Sequence, residues 1–362
     1  MSGKAFSGRY FEDFALGAHL VHAVPRTLHG GDISTYISLT GDRDPIASST
    51  ELARSLGFMR EVVPGLLVFH TVFGQSVPDV SHNATANLGY ADVRFLRPVY
   101  PGDTLVAESE VIGLREVSSG EAGVVYVRTR GTNQKGQEVL SFVRWVMVPK
   151  RDVAAGKGVM HVPQLPEAVT PERLPVPEIM NLQRFSDLAW AMPPGGRWEA
   201  YEIGERIDHP DAMTVEEADH VQATRLYHNT AQVHFDRIAM EKSRFGKRLV
   251  YGGHVISLAM ALAQNGLGTA LRMAAWNAGS HLAPTFAGDT LRAFTEVIDK
   301  VDVPGRRDVG ALRLRMHAVK NVSASEAATI APGMAAKDPR VVLMLDYWSL
   351  WGRSPLAQPD AT

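Results

Sequence analysis

The chain repeats itself once, at an offset of about 187 residues. Phe14–Gly17 is similar to Tyr201–Gly204, and Leu96–Leu105 is similar to Leu282–Leu291, where both copies end in Gly-Asp-Thr-Leu. Matches that keep one offset over most of a chain indicate an internal repeat, and each copy then folds as a similar unit. The sequence therefore predicts two domains of related structure.

A proline-rich segment lies between the copies and divides the chain into residues 1–149, 150–196 and 197–362. Seven prolines in residues 150–196 interrupt any regular element, because proline lacks an amide donor and restricts the residue before it. Phe185, Leu188 and Trp190 in this connector predict that part of it docks on a domain.

The composition is typical of a globular protein. Of the 362 residues, 45% are hydrophobic and 21% charged, and a net charge of −2 implies no basic face for nucleic acid or an anionic membrane. The chain has no cysteine, which excludes disulfides, thiolate metal sites and a cysteine nucleophile and fits a cytoplasmic location. We expect no secretory signal, because Met1–Phe14 has no apolar core, and no membrane helix, because no apolar run approaches the roughly 20 residues required.

Each copy contains one segment that is apolar nearly all round, at Gly65–Val77 and Gly253–Leu271, which predicts a helix buried on every side. Runs of β-branched and aromatic residues with alternating polarity follow each helix and predict antiparallel strands. The predicted strands are Val93–Val99, Leu105–Leu114, Val124–Asn133, Glu138–Val148, His281–Phe286, Leu291–Val301, Gly310–Asn321 and Val341–Trp351. A helix clasped by a curved antiparallel sheet is the hot dog arrangement, so the predicted fold is an α+β tandem, or double, hot dog.

A short motif stands at the end of a helical run in each copy. In the first copy, Asp42 is followed five residues later by Ala47. In the second copy, Asn229 is followed five residues later by His234. Each copy therefore keeps a different part of one element, and the second keeps the imidazole.

Together the two motifs resemble the hydratase motif of the MaoC-like hydratases, which runs aromatic, apolar, small, Gly-Asp, any residue, Asn-Pro, aliphatic, His. The resemblance covers roughly residues 9–149 and 197–352. The first copy fits at Tyr36, Leu39, Thr40, Gly41, Asp42, Pro45 and Ile46. In that copy Asp44 replaces the Asn of the pattern and Ala47 replaces its His.

The second copy departs from the pattern at a different place. Val233 and His234 fit, whereas His228 and Asn229 stand where Gly-Asp would be. A duplicated chain with these changes is most similar to the mesaconyl-CoA hydratases, also called β-methylmalyl-CoA dehydratases, of that superfamily. The resemblance implies reversible hydration of an enoyl-CoA thioester, with no cofactor beyond the CoA of the substrate.

The chemistry of hydration indicates which residues carry it. Adding water to an α,β-unsaturated thioester needs a base near the attacked Cβ, and the imidazole of His234 can serve near neutral pH. The thioester oxygen gains negative charge, which the amide of Gly253 at the start of a buried helix can stabilise. Asn229 can orient the water or the imidazole. The rival interpretations are a core histidine, a capping asparagine and a packing glycine.

Further candidates for substrate contact lie around the two motifs: Asp42, Arg43, Gly65, Tyr227 and Asp236. Four of them have a structural alternative, namely a stabilised loop for Asp42, an exposed cation for Arg43, a packing position for Gly65 and a helix cap for Asp236. A dicarboxylic acyl-CoA needs a cation for its free carboxylate, and Arg43 and Arg225 are the basic residues nearest the motifs.

Two other functions fit a double hot dog. A thioesterase is one, although such enzymes resemble one another in carrying an acid on the central helix, and Gly65–Val77 and Gly253–Leu271 contain none. A non-catalytic acyl-CoA-binding module is the other, because neither motif is complete. The scattered histidines, without a His-x-x-x-His pair, predict no metal site. Pairing of sheet edges predicts a homo-oligomer.

Overall fold

The computed structural model describes residues 4–154, 159–183, 185, 188 and 196–354. The first copy forms short strands and helices, one long helix and then four long strands. Its elements are β1 (His19–Val21), β2 (Arg26–Thr27), α1 (Gly30–Thr40), α2 (Pro45–Ser48), α3 (Thr50–Ser55), α4 (Gly65–Val80), β3 (Ala86–Phe95), β4 (Thr104–Glu116), β5 (Ala122–Thr132) and β6 (Glu138–Pro149).

The second copy repeats this order of elements. It consists of β7 (Arg206–Asp208), β8 (Met213–Thr214), α5 (Glu217–Leu226), α6 (Arg237–Glu241), α7 (Gly252–Leu267), β9 (Ala270–His281), β10 (Thr290–Asp302), β11 (Val309–Lys320), α8 (Ala324–Ala328) and β12 (Val341–Gly352). The predicted arrangement, a long helix followed by a set of antiparallel strands, is thus observed twice.

The strands of both copies join in one antiparallel sheet. The strand order is β1-β4-β5-β6-β3-β9-β12-β11-β10-β7, with β2 paired to β4 and β8 paired to β10. At the junction β3 pairs with β9, so that Tyr90 lies opposite Gly279 and Val93 lies opposite Trp276. Each copy thereby covers a strand edge that the other would leave exposed.

The two central helices α4 and α7 are apolar because the sheet wraps them. On α4, Phe69 packs with its ring centroid 4.5 Å from that of Trp276 in the other copy and 5.0 Å from that of Phe142. The prediction that the second helix reaches Leu271 is wrong: α7 is interrupted at Asn265 and Gly266, where Gly266 has a φ of 113°, and it ends at Leu267. None of the described helices is long and apolar enough to cross a membrane.

Six of the predicted strands agree with the structure to within two residues at each end. The other two predictions, Val93–Val99 and His281–Phe286, are wrong, because the strands are Ala86–Phe95 and Ala270–His281. The error has a physical cause. The segments with the stronger apolar signal contain Pro98 and Pro284, which do not continue a central strand.

The connector packs along the sheet of the second copy. The amide of Val169 donates to the side-chain oxygen of Asn277 at 2.8 Å, and its carbonyl accepts from the indole of Trp348 at 2.9 Å. Phe185 is buried and Leu188 packs against the same cluster, as predicted. Trp190 lies outside the described residues.

Candidate active site

The second motif begins where α5 ends. His228 has a φ of 55° and turns the chain in the left-handed conformation, as Gly41 does with a φ of 71° after α1. Helix α4 packs directly on this loop, since a Cβ added at Gly74 would lie 1.8 Å from the carbonyl oxygen of Tyr227. The loop therefore packs against α4 of the other copy, at a position where only glycine leaves enough room.

A cavity of about 320 Å³ lies beside this loop and is lined by both copies. It brings together His234 and Asn229, the two side chains that the motif predicts to act together. The other polar or aromatic residues that line it include Phe73, Tyr90, Arg144, Arg244, Tyr251 and His281. No Asp or Glu lines it among the residues that the structure describes.

The His234 imidazole is held as a neutral base. The side chain is buried, and Nδ1 lies 2.9 Å from the carbonyl oxygen of Leu249. A carbonyl only accepts, so Nδ1 carries the proton and Nε2 is the unprotonated nitrogen. Burial lowers the pKa of His234 to about 4, and the bond to Leu249 opposes this shift only in part. At neutral pH the ring can therefore accept a proton.

Asn229 lines the cavity and is held by its side-chain oxygen. Its side-chain oxygen accepts a hydrogen bond from the amide of Ala231 at 2.9 Å, which fixes the orientation of the amide group. The NH2 group has no acceptor among the described protein atoms, although the residue is buried. It is thus available to donate a hydrogen bond to a water molecule or to substrate.

The helix that faces the cavity begins at Gly252, one residue earlier than predicted. The amides of His254 and Val255 donate to the carbonyl of Tyr251, whereas those of Gly252 and Gly253 have no acceptor in the described part of the chain. Gly252 lines the cavity and Gly253 does not. The predicted donor Gly253 thus has a neighbour that is better placed, and both amides are unpaired because they belong to the first turn.

Gly252 is also the true counterpart of Gly65. Both are the first residue of a central helix, and the two positions are 187 apart. A Cβ at Gly252 would lie 2.5 Å from the imidazole of His281, whereas a Cβ at Gly65 would lie 3.4 Å from the ring of Phe95. Only the second copy therefore needs glycine for close packing at this place.

Three of the predicted residues belong to the first copy, away from His234. Asp42 and Gly65 line a separate cavity of about 100 Å³ that contains no histidine. Asp42 accepts from the amide of Asp44 at 3.0 Å and from Gln264, and burial raises the pKa of Asp42. Arg43 is exposed, and its backbone amide donates to Gln264.

The remaining two candidates have structural partners. Tyr227 is fully buried, with its ring 4.4 Å from that of His70 and its hydroxyl 3.5 Å from Nδ1 of His254. Asp236 caps α6 by accepting from the amide of Ala239 at 2.9 Å, which is the structural alternative that the sequence offered. Neither lines the His234 cavity.

The cavity residues that lie on strands were not predicted from the sequence. Arg144 lies on β6, Tyr90 on β3 and His281 on β9, and the Tyr90 hydroxyl is 3.3 Å from Nε2 of His281. One signal could have found Arg144, since it is a lone cation in the apolar run Glu138–Pro149. The other two carry no local mark, because only the pairing of β3 with β9 brings them together.

The chain is similar to known proteins over nearly its whole length. The profile of the mesaconyl-CoA hydratase family matches residues 4–326. A β-methylmalyl-CoA dehydratase from Chloroflexus aurantiacus is 50% identical over 355 residues, which cover 98% of this chain and 99% of that protein. A mesaconyl-CoA hydratase from Cereibacter sphaeroides is 51% identical over 354 residues, covering 96% and 99%.

Solved structures agree with the fold. A crystal structure of a MaoC domain protein from Chloroflexus aurantiacus has a TM-score of 0.91 and 49% identity, with 98% of this chain and 100% of that chain covered. A Mycobacterium tuberculosis protein described as having a double hot dog fold has a TM-score of 0.75 and 27% identity, with 95% and 98% covered. The predicted double hot dog and the predicted resemblance are confirmed, and this chain belongs to the mesaconyl-CoA hydratase family of MaoC-like hydratases.

Proposed function

We propose that this protein catalyses the reversible addition of water to the double bond of mesaconyl-CoA, which gives β-methylmalyl-CoA. Two curated relatives that match at half identity over nearly their whole length carry the names of these two directions. The observation that carries the proposal is a buried neutral imidazole, His234, that lines one cavity with Asn229.

In the proposed mechanism the His234 imidazole moves a single proton. Nε2 takes a proton from water while the water oxygen forms its bond to Cβ of the thioester. The electrons of the double bond shift towards the thioester oxygen, so that an enolate forms. The imidazolium then gives the same proton to Cα, and the neutral base is restored. One water molecule thus supplies both the hydroxyl group and the new hydrogen.

Burial of His234 suits this cycle. The low pKa keeps the ring neutral before reaction and makes the buried imidazolium a strong acid once it forms. No carboxylate of the described residues lines the cavity, so in this proposal the imidazolium itself is the acid that protonates Cα. Asn229 donates its amide N–H to the water oxygen, which directs a water proton towards the imidazole.

The developing charge on the thioester oxygen is stabilised at the start of α7. The unpaired amides of Gly252 and Gly253 lie in the first turn of α7. Unpaired amides and the helix dipole both favour an anion at a helix N-terminus. Donors placed in this way typically contribute a few kcal/mol to the transition state. At the exposed side of the cavity Arg244 is suited to the phosphates of CoA.

The two alternative functions receive less support. Helix α4 extends to Val80 and so includes Asp79, an acid that the predicted helix lacked. Asp79 pairs with Arg9 and His22 at 2.9 Å and does not line the cavity, so it offers no base for thioester hydrolysis. A pure binding module gives no reason for an imidazole held neutral in the cavity. Self-association and a cytoplasmic location stay predictions.

The experiment that tests the proposal compares His234→Ala with wild type in the hydration of mesaconyl-CoA. We expect turnover to fall by roughly 10²-fold to 10⁴-fold, the usual contribution of a general base. His19→Ala serves as the control, because His19 is an exposed histidine on β1. Unchanged turnover in His234→Ala would remove the assignment of the base, and release of free CoA by wild type without hydration would support a thioesterase.

A further inference from the structure

The cavity contains one fully buried cation, Arg144, that the mechanism above does not use. Arg144 lies on β6 with 0% of its surface exposed. Its Nη1 group donates to the hydroxyl of Ser81 at 3.1 Å and its Nη2 group donates to the hydroxyl of Ser76 at 2.8 Å. The guanidinium lies over the ring of Phe73, 4.1 Å from the centroid, and its Nε has no partner among the described atoms.

Arg144 also has no counterion within the described residues. The hydroxyl groups of Ser76 and Ser81 are neutral, and the cavity contains no acidic side chain. Burial lowers the pKa of Arg144 to about 10, which still leaves it charged at neutral pH. A buried charge without an opposite charge is strongly unfavourable, and the carboxylate of a ligand would supply the missing partner.

The equivalent position of the first copy's cavity differs in charge. β6 and β12 each run for twelve residues, and the seventh residue is Arg144 in β6 and Tyr347 in β12. Arg144 lines the cavity that contains His234, and Tyr347 lines the smaller cavity that contains Asp42. The smaller cavity has an arginine at a different place, Arg272 on β9, which lies near the carboxyl group of Asp44. At this strand position a cation therefore occurs in the cavity of His234 and not in the cavity of the motif that lacks histidine.

We propose that Arg144 binds the free carboxylate of the substrate and so selects thioesters of unsaturated dicarboxylic acids. This inference rests on the proposed function, because it concerns the acyl group of that same reaction. The two outer nitrogens of a guanidinium can hold both oxygens of a carboxylate, and such pairs are strong when water is excluded. Arg43 and Arg225, the cations nearest the motifs in sequence, are both exposed and do not line the cavity.

The position of the carboxylate explains how Arg144 would help the reaction. The acyl group of mesaconyl-CoA is a four-carbon unsaturated diacid with a methyl group on Cα, and its Cβ carries the free carboxylate and is also the carbon that water attacks. A guanidinium that holds this carboxylate fixes Cβ relative to His234. It also cancels the repulsion between the carboxylate and the hydroxide-like oxygen that approaches Cβ.

The test measures selectivity between two substrates. Mesaconyl-CoA carries the free carboxylate, and crotonyl-CoA, a four-carbon enoyl thioester, does not. We expect wild type to prefer mesaconyl-CoA in kcat/KM, and we expect Arg144→Gln to lose about 100-fold or more on mesaconyl-CoA while it keeps its rate on crotonyl-CoA. Arg144→Lys keeps the positive charge but lacks the two parallel N–H donors of a guanidinium, and it should restore part of the preference for mesaconyl-CoA.

Two further measurements separate Arg144 from other basic residues. The N-acetylcysteamine thioester of mesaconate lacks the phosphates of CoA, and the loss in Arg144→Gln should persist on it. Arg272→Gln removes the arginine of the smaller cavity and should leave the ratio of the two substrates as in wild type. If the loss disappears with the truncated thioester, Arg144 serves the phosphates and the inference is wrong.

The remaining outcomes distinguish this inference from the proposed function. A wild-type enzyme that hydrates neither substrate contradicts the function itself. A wild-type enzyme that hydrates mesaconyl-CoA but shows no preference over crotonyl-CoA overturns the inference alone, without any variant. Equal losses on both substrates in folded Arg144→Gln assign a structural role to Arg144. If circular dichroism shows that Arg144→Gln is unfolded, the ratio of kcat/KM on mesaconyl-CoA to kcat/KM on crotonyl-CoA is measured for Arg144→Lys instead. An unchanged ratio in that variant overturns the inference.

Discussion

Nε2 of His70 lies 2.9 Å from the hydroxyl oxygen of Ser257, and the two residues are 187 positions apart. They occupy equivalent places on α4 and α7, so this hydrogen bond marks where the two copies of the repeat meet. The hydroxyl of Tyr36 donates to the same serine at 3.0 Å. The two hot dogs therefore share a buried polar contact at their centre as well as a continuous sheet.

Replacing Ser257 by alanine should destabilise the whole chain. The change leaves the Tyr36 hydroxyl and His70 Nε2 buried without this partner, which costs about 1–3 kcal/mol for each unsatisfied group. Urea denaturation measures the loss. Ser34→Ala, on the exposed face of α1, should change the free energy of unfolding by no more than about 0.5 kcal/mol. Equal effects of the two variants would contradict the role given to the contact.

Gly74→Ala should impair the site through the motif loop. The added Cβ would lie 1.8 Å from the carbonyl oxygen of Tyr227, so the loop that carries Asn229 must move. We expect kcat for mesaconyl-CoA to fall at least about 10-fold, since small displacements of reacting groups are costly. Gly31→Ala on α1 is the control, because a Cβ there meets nothing within 4 Å. A fully active Gly74→Ala variant would show that the loop position is unimportant.

Gly252→Ala should lower kcat more than it changes KM. Its Cβ would lie 2.5 Å from the imidazole of His281, which pushes the first amides of α7 away from the thioester oxygen. The matched variant is Gly65→Ala in the first copy, where the nearest atom is 3.4 Å away. We expect the loss of kcat in Gly65→Ala to be at least about ten times smaller than in Gly252→Ala, because its Cβ does not displace a preformed site. Equal losses would assign catalysis to both cavities.

The pH dependence of kcat/KM should reflect the base. His234 acts when it is unprotonated, and its pKa is lowered to about 4 from the ordinary 6.5. Activity should therefore stay level as the pH falls through 6.5 and decline only as the pH approaches 4. Rates measured in the pH range of about 5 to 8, with enzyme stability checked at each pH, test this expectation. A decline centred at 6.5 would show that the base is a solvated histidine.

The same burial should make the fold sensitive to acid. His234 and His281 both have their pKa lowered to about 4, whereas the unfolded chain protonates its histidines near 6.5. Between these values the unfolded state binds more protons, so the free energy of unfolding falls as the pH falls from 6.5 towards 4. Urea denaturation at several pH values measures the slope. We expect His281→Gln to flatten it, whereas the exposed His19→Ala should leave it unchanged.

The local pattern of the sequence determined much of this protein. The repeat predicted two copies, the apolar segments predicted the central helices, and the spacing from Asn229 to His234 predicted which copy carries the imidazole. These features are local, because helical periodicity and a short motif are set by residues close together in the chain. The cap formed by Asp236 was equally readable.

The tertiary structure decided the rest. The strands β3 and β9 were predicted too far along the chain, because they carry residues such as Gly89 and Ala275 that have little strand preference and are fixed by the packing of the two copies. The same pairing brings Tyr90 and His281 together at the cavity. The sequence marks Arg144 as a lone cation in an apolar run, but its proposed role in binding a carboxylate depends on a cavity that lacks an acidic side chain. That environment is set by contacts between residues far apart in sequence.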